Sequence, residues 1–197
     1  MSLITLNKLS TLNPPAANKI RHGMLATRNT AWASGGQPLY IDEFGNQWFY
    51  GKQRVVATAD TSQEAAGTLT NVPGLSFALA GNTRYGVRFY AIYQSGATGI
   101  GLGIGVTTPP TPLVLSLAVD IYGFAAAGAA SCYTGIINLA TASVKATAAA
   151  VINVSYPAVV EGIIVTGSAA GTLQLQWSGG AGGILLKQGT LGELWLL

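Results

Sequence analysis

The chain has 197 residues, of which 49% are hydrophobic and only 9% are charged, and its formal net charge is +3. An average soluble domain is about 25% charged and disordered chains are rich in charge, so this composition excludes a disordered chain and disfavours a protein that coats nucleic acid. Because a soluble monomer normally carries many more surface charges, the composition also predicts that part of this surface is covered by other protein.

The residue types used in catalysis and metal binding are scarce. Cys132 and His22 are the single cysteine and the single histidine, so no intrachain disulfide and no cysteine-based zinc site can form. We therefore expect no catalytic residue, no metal, no cofactor and no enzymatic activity. We expect Cys132 to be a small buried thiol.

The chain also lacks the patterns of a membrane or secreted protein. The uncharged stretches 89–119 and 162–186 contain Pro, Gly, Ser and Thr residues that would break a spanning helix. Residues 1–12 lack the apolar run of a secretory signal. We expect no membrane partner and no direct nucleic-acid partner.

Residues 1–38 differ in composition from the rest of the chain. They include Lys19, Arg21 and Arg28 but no acidic residue, and their apolar periodicity is weak. This pattern favours an extended N-terminal arm that packs on a neighbouring protein, with a partly ordered tail as the alternative. The basic residues of the arm fit an acidic protein surface, or they are simply solvated. Residues 39–197 are predicted to form one antiparallel β domain.

Strand patterns begin at residue 39. Short strands at 39–41 and 48–50 flank a turn at 42–46, and 54–59 is predicted as a third strand. Alternating apolar residues at 75–79 and 85–89 flank Gly81-Asn82, which predicts a second hairpin.

A glycine-rich segment follows. Residues 99–106 alternate glycine with aliphatic residues, which predicts a strand with one bare face that lets aromatic rings or another backbone approach closely. Its spacing fits no phosphate-binding motif. A strand is predicted at 113–119, while 125–150 remains open between loop, short helix and strand.

The last part of the chain is predicted to be a meander. The segments 159–165 and 173–177 read as one hairpin, and 184–187 and 192–197 read as the closing strands. The apolar C terminus is expected to be buried in a sheet or in a subunit contact. The short strands and frequent turns predict an all-β fold, an antiparallel β-sandwich or barrel of jelly-roll-like type with an extended N-terminal arm.

Aromatic residues cluster between positions 32 and 50. Trp32, Tyr40 and Trp48 lie among amide and carboxylate side chains, a combination that can form a glycan-binding platform. The alternative is a hairpin that buries its rings in the core or in a subunit contact, since Trp and Tyr are favoured at interfaces.

The segment from about residue 68 to residue 197 resembles structural proteins of tailed-bacteriophage virions. The resemblance is carried by LTNVPGLSFALAGNTRYGVRF at 69–89, VVEGIIV at 159–165 and AGTLQLQW at 170–177. It implies a β-rich, trimeric protein of the capsid exterior or of the tail.

The resemblance and the composition together favour a non-enzymatic capsid decoration (cement) protein. Such a protein would form a homo-oligomer, bind the major capsid protein or other virion proteins, and stabilise the shell. The residues expected at the capsid-docking or oligomer interface are Lys19, Arg21, Arg28, Trp32, Tyr40, Trp48 and Trp195. The alternative function is a tail-tip or fibre module that binds host-surface glycan through residues 32–50.

Overall fold

The computed structural model divides the chain into two compact units, Met1–Gln53 and Arg54–Leu197. It describes residues 39–41, 47–49, 52–63, 67–125, 129–140, 142–146, 151–179 and 183–197. The interface candidates Lys19, Arg21, Arg28 and Trp32 and the whole predicted arm lie outside these residues.

The first unit contains the predicted hairpin. Strand β1 (Leu39–Ile41) pairs antiparallel with β2 (Gln47–Phe49), and Tyr40 lies opposite Trp48 in the register. The two strands that the sequence predicted around residues 42–46 are therefore confirmed.

The second unit consists of antiparallel strands, and its described residues include no helix. The strands are β3 (Lys52–Val56, in the second unit from Arg54 onward), β4 (Thr61–Gln63), β5 (Thr70–Leu79), β6 (Arg84–Ser95), β7 (Gly103–Thr107), β8 (Val114–Ala125), β9 (Ala129–Ile137), β10 (Ser143–Lys145), β11 (Tyr156–Val165), β12 (Gly171–Ser178), β13 (Ile184–Leu186) and β14 (Leu191–Leu196). The stretch that the sequence left open, 125–150, thus supplies strands β9 and β10.

The strands pair in nested order. Strand β5 pairs with β12, β6 with β11, β7 with β10 and β8 with β9, as in one long hairpin folded back on itself. Folding places them in a small sheet, β10-β7-β12-β5, and a large sheet that contains β6-β11-β8-β9. This connectivity is that of a jelly roll, so the predicted sandwich of jelly-roll type is confirmed. Strand β14 extends the large sheet beside β6.

The predicted hairpin of residues 75–79 and 85–89 is wrong, because β5 and β6 lie in different sheets. The turn between them carries the chain from the small sheet to the large one. It is fastened by the buried Thr166, whose Oγ1 donates to the Ala80 carbonyl at 2.7 Å and accepts the Thr83 amide at 2.9 Å. Alternating burial is the same in a hairpin and in a sheet crossing, so the pattern did not distinguish them.

The closing strands also differ from the predicted meander, because alternating burial does not show which strands pair. Strands β11 and β12 lie in different sheets, and β13 and β14 do not pair with each other. Both run antiparallel along one edge of β6, at residues 93–95 and 85–90. Residues 187–190, between β13 and β14, form a turn in which Lys187 and Thr190 hydrogen-bond to the backbone of Ile92. The C terminus is in the sheet, as expected, although Leu197 itself is exposed.

The core lies between the two sheets. Phe77 of the small sheet and Phe89 of the large sheet are fully buried, and their ring centroids are 5.6 Å apart. Within the large sheet, the rings of Tyr93 and Tyr156 have centroids 5.6 Å apart. Burial raises the pKa of Tyr93, and the nearby Tyr156 and Tyr133 hydroxyls raise it further. The Tyr93 hydroxyl donates to the Tyr122 carbonyl at 2.8 Å. The core therefore contains aromatic contacts both across the sheets and within the large sheet.

The glycine-rich segment is a strand only from Gly103 onward. Gly99 lies in a turn with a φ of 81°, where glycine is favoured. A methyl group at Gly103 would lie 2.2 Å from the Ser178 hydroxyl, and one at Gly105 would lie 2.6 Å from Leu69. The predicted close approach to the bare face is therefore confirmed. The side chains of Ser178 and Leu69 make it, and the backbone carbonyl oxygen of Ala142 also lies 3.2 Å from a methyl group placed at Gly105.

Candidate interaction surfaces

The outer face of the large sheet, meaning the side chains that point away from the small sheet, exposes large apolar groups. They come from four neighbouring strands and are 40–66% exposed: Tyr90 of β6, Val114 and Tyr122 of β8, Ile136 of β9 and Ile163 of β11. The alternation of each strand places them there because their neighbours in the chain fill the core. An exposed apolar area of this kind is typical of an interaction site.

A row of alternating charges crosses this outer face. Glu193 of β14 lies opposite Arg88 of β6, which lies opposite Glu161 of β11. Arg88 donates to Glu161 through Nε at 2.8 Å and through Nη2 at 2.5 Å, and Arg54 Nη2 donates to Glu193 at 2.8 Å. Both arginines are more than half exposed, so these ion pairs add little to stability but neutralise the charge of the face.

The β8–β9 end of the outer face carries almost no charge. The next residues in the row after Glu161 are Ala118 and Ile136. Residues 121–144, which include the whole of β9, contain no Asp, Glu, Lys or Arg. The outer face is therefore ionic toward β14 and apolar toward β9.

Cys132 lies at this apolar end and is exposed, so the expected buried thiol is wrong. It stands opposite Tyr122 in the register of β8 and β9. The charge that Cys132 can carry, followed by that of Asp120, raises the pKa of Tyr122. The sequence of β9 does not show which side chains are buried, because both of its alternating sets of positions contain apolar residues: Ile136 points outward and Ile137 points inward.

Trp195 packs against its own sheet. It lies opposite Gly86 in the register, and a methyl group at Gly86 would lie 2.2 Å from Cε2 of the indole. The ring thus covers the bare backbone of the neighbouring strand, as aromatic residues do over glycines in sheets. Of the other interface candidates, the structure describes Tyr40 and Trp48 only as opposed positions of β1 and β2.

The outer face of the small sheet has a different character. Its outward positions include uncharged polar residues such as Gln176, whose amide donates to Asn71 at 2.9 Å. Gln174 closes a bulge in β5 by donating to the carbonyls of Val72 at 2.7 Å and Leu75 at 3.0 Å. Those amides are used inside the chain, so the large sheet offers the stronger candidate for contact with another protein.

No group of three or more His, Cys, Asp or Glu side chains that could hold a metal ion occurs in the described part of the chain. Among these same residues, no helix is long and apolar enough to cross a membrane.

Comparisons with known proteins give only remote likenesses. No protein-family model and no curated protein matches the sequence. A chain in the structure of infectious bursal disease virus, Gt strain, is 11% identical with a TM-score of 0.22, over 74% of this chain and 37% of that chain. A chain in the crystal structure of the infectious bursal disease virus VP2 subviral particle is 10% identical with a TM-score of 0.22, over 74% of this chain and 41% of that one. The chain therefore spans less than half the length of these chains, and the fold assignment rests on the strand connectivity.

Proposed function

We propose that this chain is a non-enzymatic structural protein of a virus particle, and specifically a capsid decoration protein on the outside of the shell. The observation that carries the proposal is the exposed apolar outer face of the large sheet in a jelly-roll domain with few charges. Jelly rolls are common in viral capsid proteins, although they also occur in lectins and cupins. The sequence resemblance to virion proteins points the same way.

The proposed mechanism is burial of surface. Apolar area removed from water stabilises a contact by about 25 cal/mol per Å². The outer face offers such area at Tyr90, Ile136 and Ile163, all at least 40% exposed. In the proposal this face packs against neighbouring subunits of a homo-oligomer, which the resemblance suggests is a trimer. Repetition over the symmetric shell then multiplies individually weak contacts.

The N-terminal segment has a separate role in the proposal. Residues 1–38 reach the major capsid protein, with Lys19, Arg21 and Arg28 against acidic groups and Trp32 as an anchor. Trp and Arg dominate the binding energy at protein interfaces. Tyr40 and Trp48, opposed in β1 and β2, would lie at the margin of that contact.

Two full-length variants test these roles separately. Ile163→Glu puts a charge on the exposed outer face, so we expect loss of the contact between outer faces and a smaller oligomer in sedimentation velocity, with the circular dichroism spectrum unchanged. The matched control is Thr172→Glu, at an exposed position on the small sheet. The triple variant Lys19→Glu, Arg21→Glu and Arg28→Glu should keep the oligomer but lose co-sedimentation with capsids. Undiminished capsid binding by the triple variant would refute the role of the arm.

A glycan-binding tail-tip or fibre module is the second candidate. The observation in its favour is the register of the first unit, which sets Tyr40 opposite Trp48. Binding on a glycan array that disappears with Trp48→Ala would favour this function over capsid decoration. Capsid binding that survives Trp48→Ala, without any glycan signal, would exclude it.

A further inference from the structure

Strand β9 closes the large sheet at its apolar end. It is 9 residues long and pairs with β8 on one side, and the sheet order places no described strand beyond it. The exposed edge of a strand offers backbone N–H and C=O groups to another strand, so proteins normally protect long edges with charges, prolines, bulges or short strands.

The edge of β9 has none of these protections. Its sequence, AASCYTGII, contains no charged residue and no proline, and the surrounding segment 121–144 is also free of charge. The outward-facing side chains at its centre, Cys132, Thr134 and Ile136, are exposed. On the same strand, the Ser131 hydroxyl is buried and has no hydrogen-bond partner among the described residues.

The two edge strands of the small sheet, β5 and β10, do carry such protections. Strand β5 carries Pro73 and a bulge at Gly74, where φ is 74°. Strand β10 is only 3 residues long and carries the exposed Lys145. Both edges are therefore protected against pairing, whereas the described residues of β9 show no such protection.

We propose that β9 pairs antiparallel with the β9 of a second copy of this chain, so that the large sheets of two copies become continuous. A charge-free edge fits a charge-free partner strand, and β9 itself meets that requirement. Antiparallel pairing of a strand with its own copy is two-fold symmetric, so each donor of one copy meets an acceptor of the other. If the oligomer is a trimer, this two-fold contact joins neighbouring trimers.

This inference deepens the proposed function by naming the partner at one edge of the sheet, and its place in a virus particle rests on that function. The pairing itself is a property of the chain alone. Neighbouring strands lie about 4.8 Å apart and rise about 3.4 Å per residue, so pairing centred anywhere from Ser131 to Gly135 keeps the two Cys132 Cα atoms within about 21 Å.

Cys132 provides the probe, because it is the only cysteine in the sequence. We would attach a nitroxide to it in the full-length protein and measure distances between copies, by dipolar broadening of the continuous-wave spectrum for the shortest separations and by double electron–electron resonance for longer ones. The proposal predicts a narrow distribution below about 30 Å once the length of the labels is included. If no such short distance is found at concentrations where the protein is oligomeric, the proposal is overturned.

Two substitutions sharpen the test. Asp120 lies opposite Thr134 in the register, so the double variant Asp120→Asn, Thr134→Lys removes the carboxylate that would neutralise the new lysine. It places like charges near the two-fold axis, so the short distance should disappear, and Ile136→Glu serves as a second variant should the first not fold. Thr172→Lys on the small sheet is one control and should keep the short distance. Ile163→Glu is the other, because it disrupts the outer face away from β9, so the short distance should survive it if β9 pairing is the source. A short distance that survives in both β9 variants would contradict pairing at this edge. Wild-type protein that binds capsids without the short distance would overturn the pairing alone, whereas the short distance without capsid binding would overturn only the proposed function.

Discussion

The indole of Trp195 lies over Gly86, its register partner on the adjacent strand, so closely that a methyl group at Gly86 would lie 2.2 Å from the ring. The last strand of the chain is thereby locked to β6, which pairs with β11 on its other side. The relationship explains why Trp195 is half-buried by its own chain.

Gly86→Ala should destabilise the fold by about 1–3 kcal/mol, because the added methyl group forces the indole out of its position. The measurement is urea unfolding at neutral pH. In a Trp195→Ala background the same substitution should cost much less, since the ring that it meets is gone. Equal costs in the two backgrounds would contradict the packing described here.

Thr166→Val should lower the free energy of unfolding by about 1–3 kcal/mol, because the isosteric change leaves the Ala80 carbonyl and the Thr83 amide without the hydroxyl. Thermal or urea unfolding measures the effect. Thr172→Val, at an exposed position, is the matched control and should change stability by less than about 0.5 kcal/mol. Equal losses of stability in Thr166→Val and Thr172→Val would argue against Thr166 as the residue that fastens the turn between β5 and β6.

Asp60 should make the fold sensitive to acid. Its hydrogen bond with the Lys187 ammonium, followed by the Gln188 amide, lowers the pKa of the Asp60 carboxyl in the folded state. A lowered folded pKa means that the stabilisation is complete above the unfolded pKa, roughly 3.9, and is lost as the pH falls through the folded value.

Unfolding curves between pH 6 and pH 2 test this prediction. The loss of stability on acidification should be smaller in Asp60→Asn than in the wild type, and Lys187→Met should reproduce most of that change. Because the pair is on the surface, both effects should be modest and should shrink in high salt. A pH dependence identical in all three proteins would rule out Asp60 as the titrating group.

Gln174→Leu should destabilise the small sheet, because the amide of Gln174 satisfies two carbonyls in the bulge of β5 and an aliphatic side chain cannot. We expect a loss of about 1–3 kcal/mol in urea unfolding. Gln176→Leu removes one hydrogen bond between exposed side chains and serves as the control. A larger loss for the control would contradict the role given to Gln174.

Much of the fold could be predicted from the sequence, but the strand pairing could not. Alternation at 75–79 and 85–89 located β5 and β6 and the faces that they bury. It carried no information on partners, because Phe77 and Phe89 point into the same core whether their strands pair or face each other across it. Pairing depends instead on contacts such as those of Thr166, between residues more than 80 positions apart in the sequence.

The candidate interaction surfaces could be predicted only in outline. The low charge content indicated a covered surface, but its position depends on which alternating set of residues in each strand points outward. Glu161 and Arg88 fix that choice in β11 and β6, since charged side chains stay in solvent. Strand β9 has no charged residue to fix it, and the wrong expectation that Cys132 is buried rested on the residue type alone.

The central claim is that the apolar outer face of the large sheet is covered by another subunit, and sedimentation velocity of the purified full-length chain over a dilution series tests it most directly. The account predicts a discrete oligomer for the wild type that falls to at most the β9-paired dimer in Ile163→Glu but persists in Thr172→Glu. A wild-type chain that sediments as a stable monomer at every concentration would contradict it.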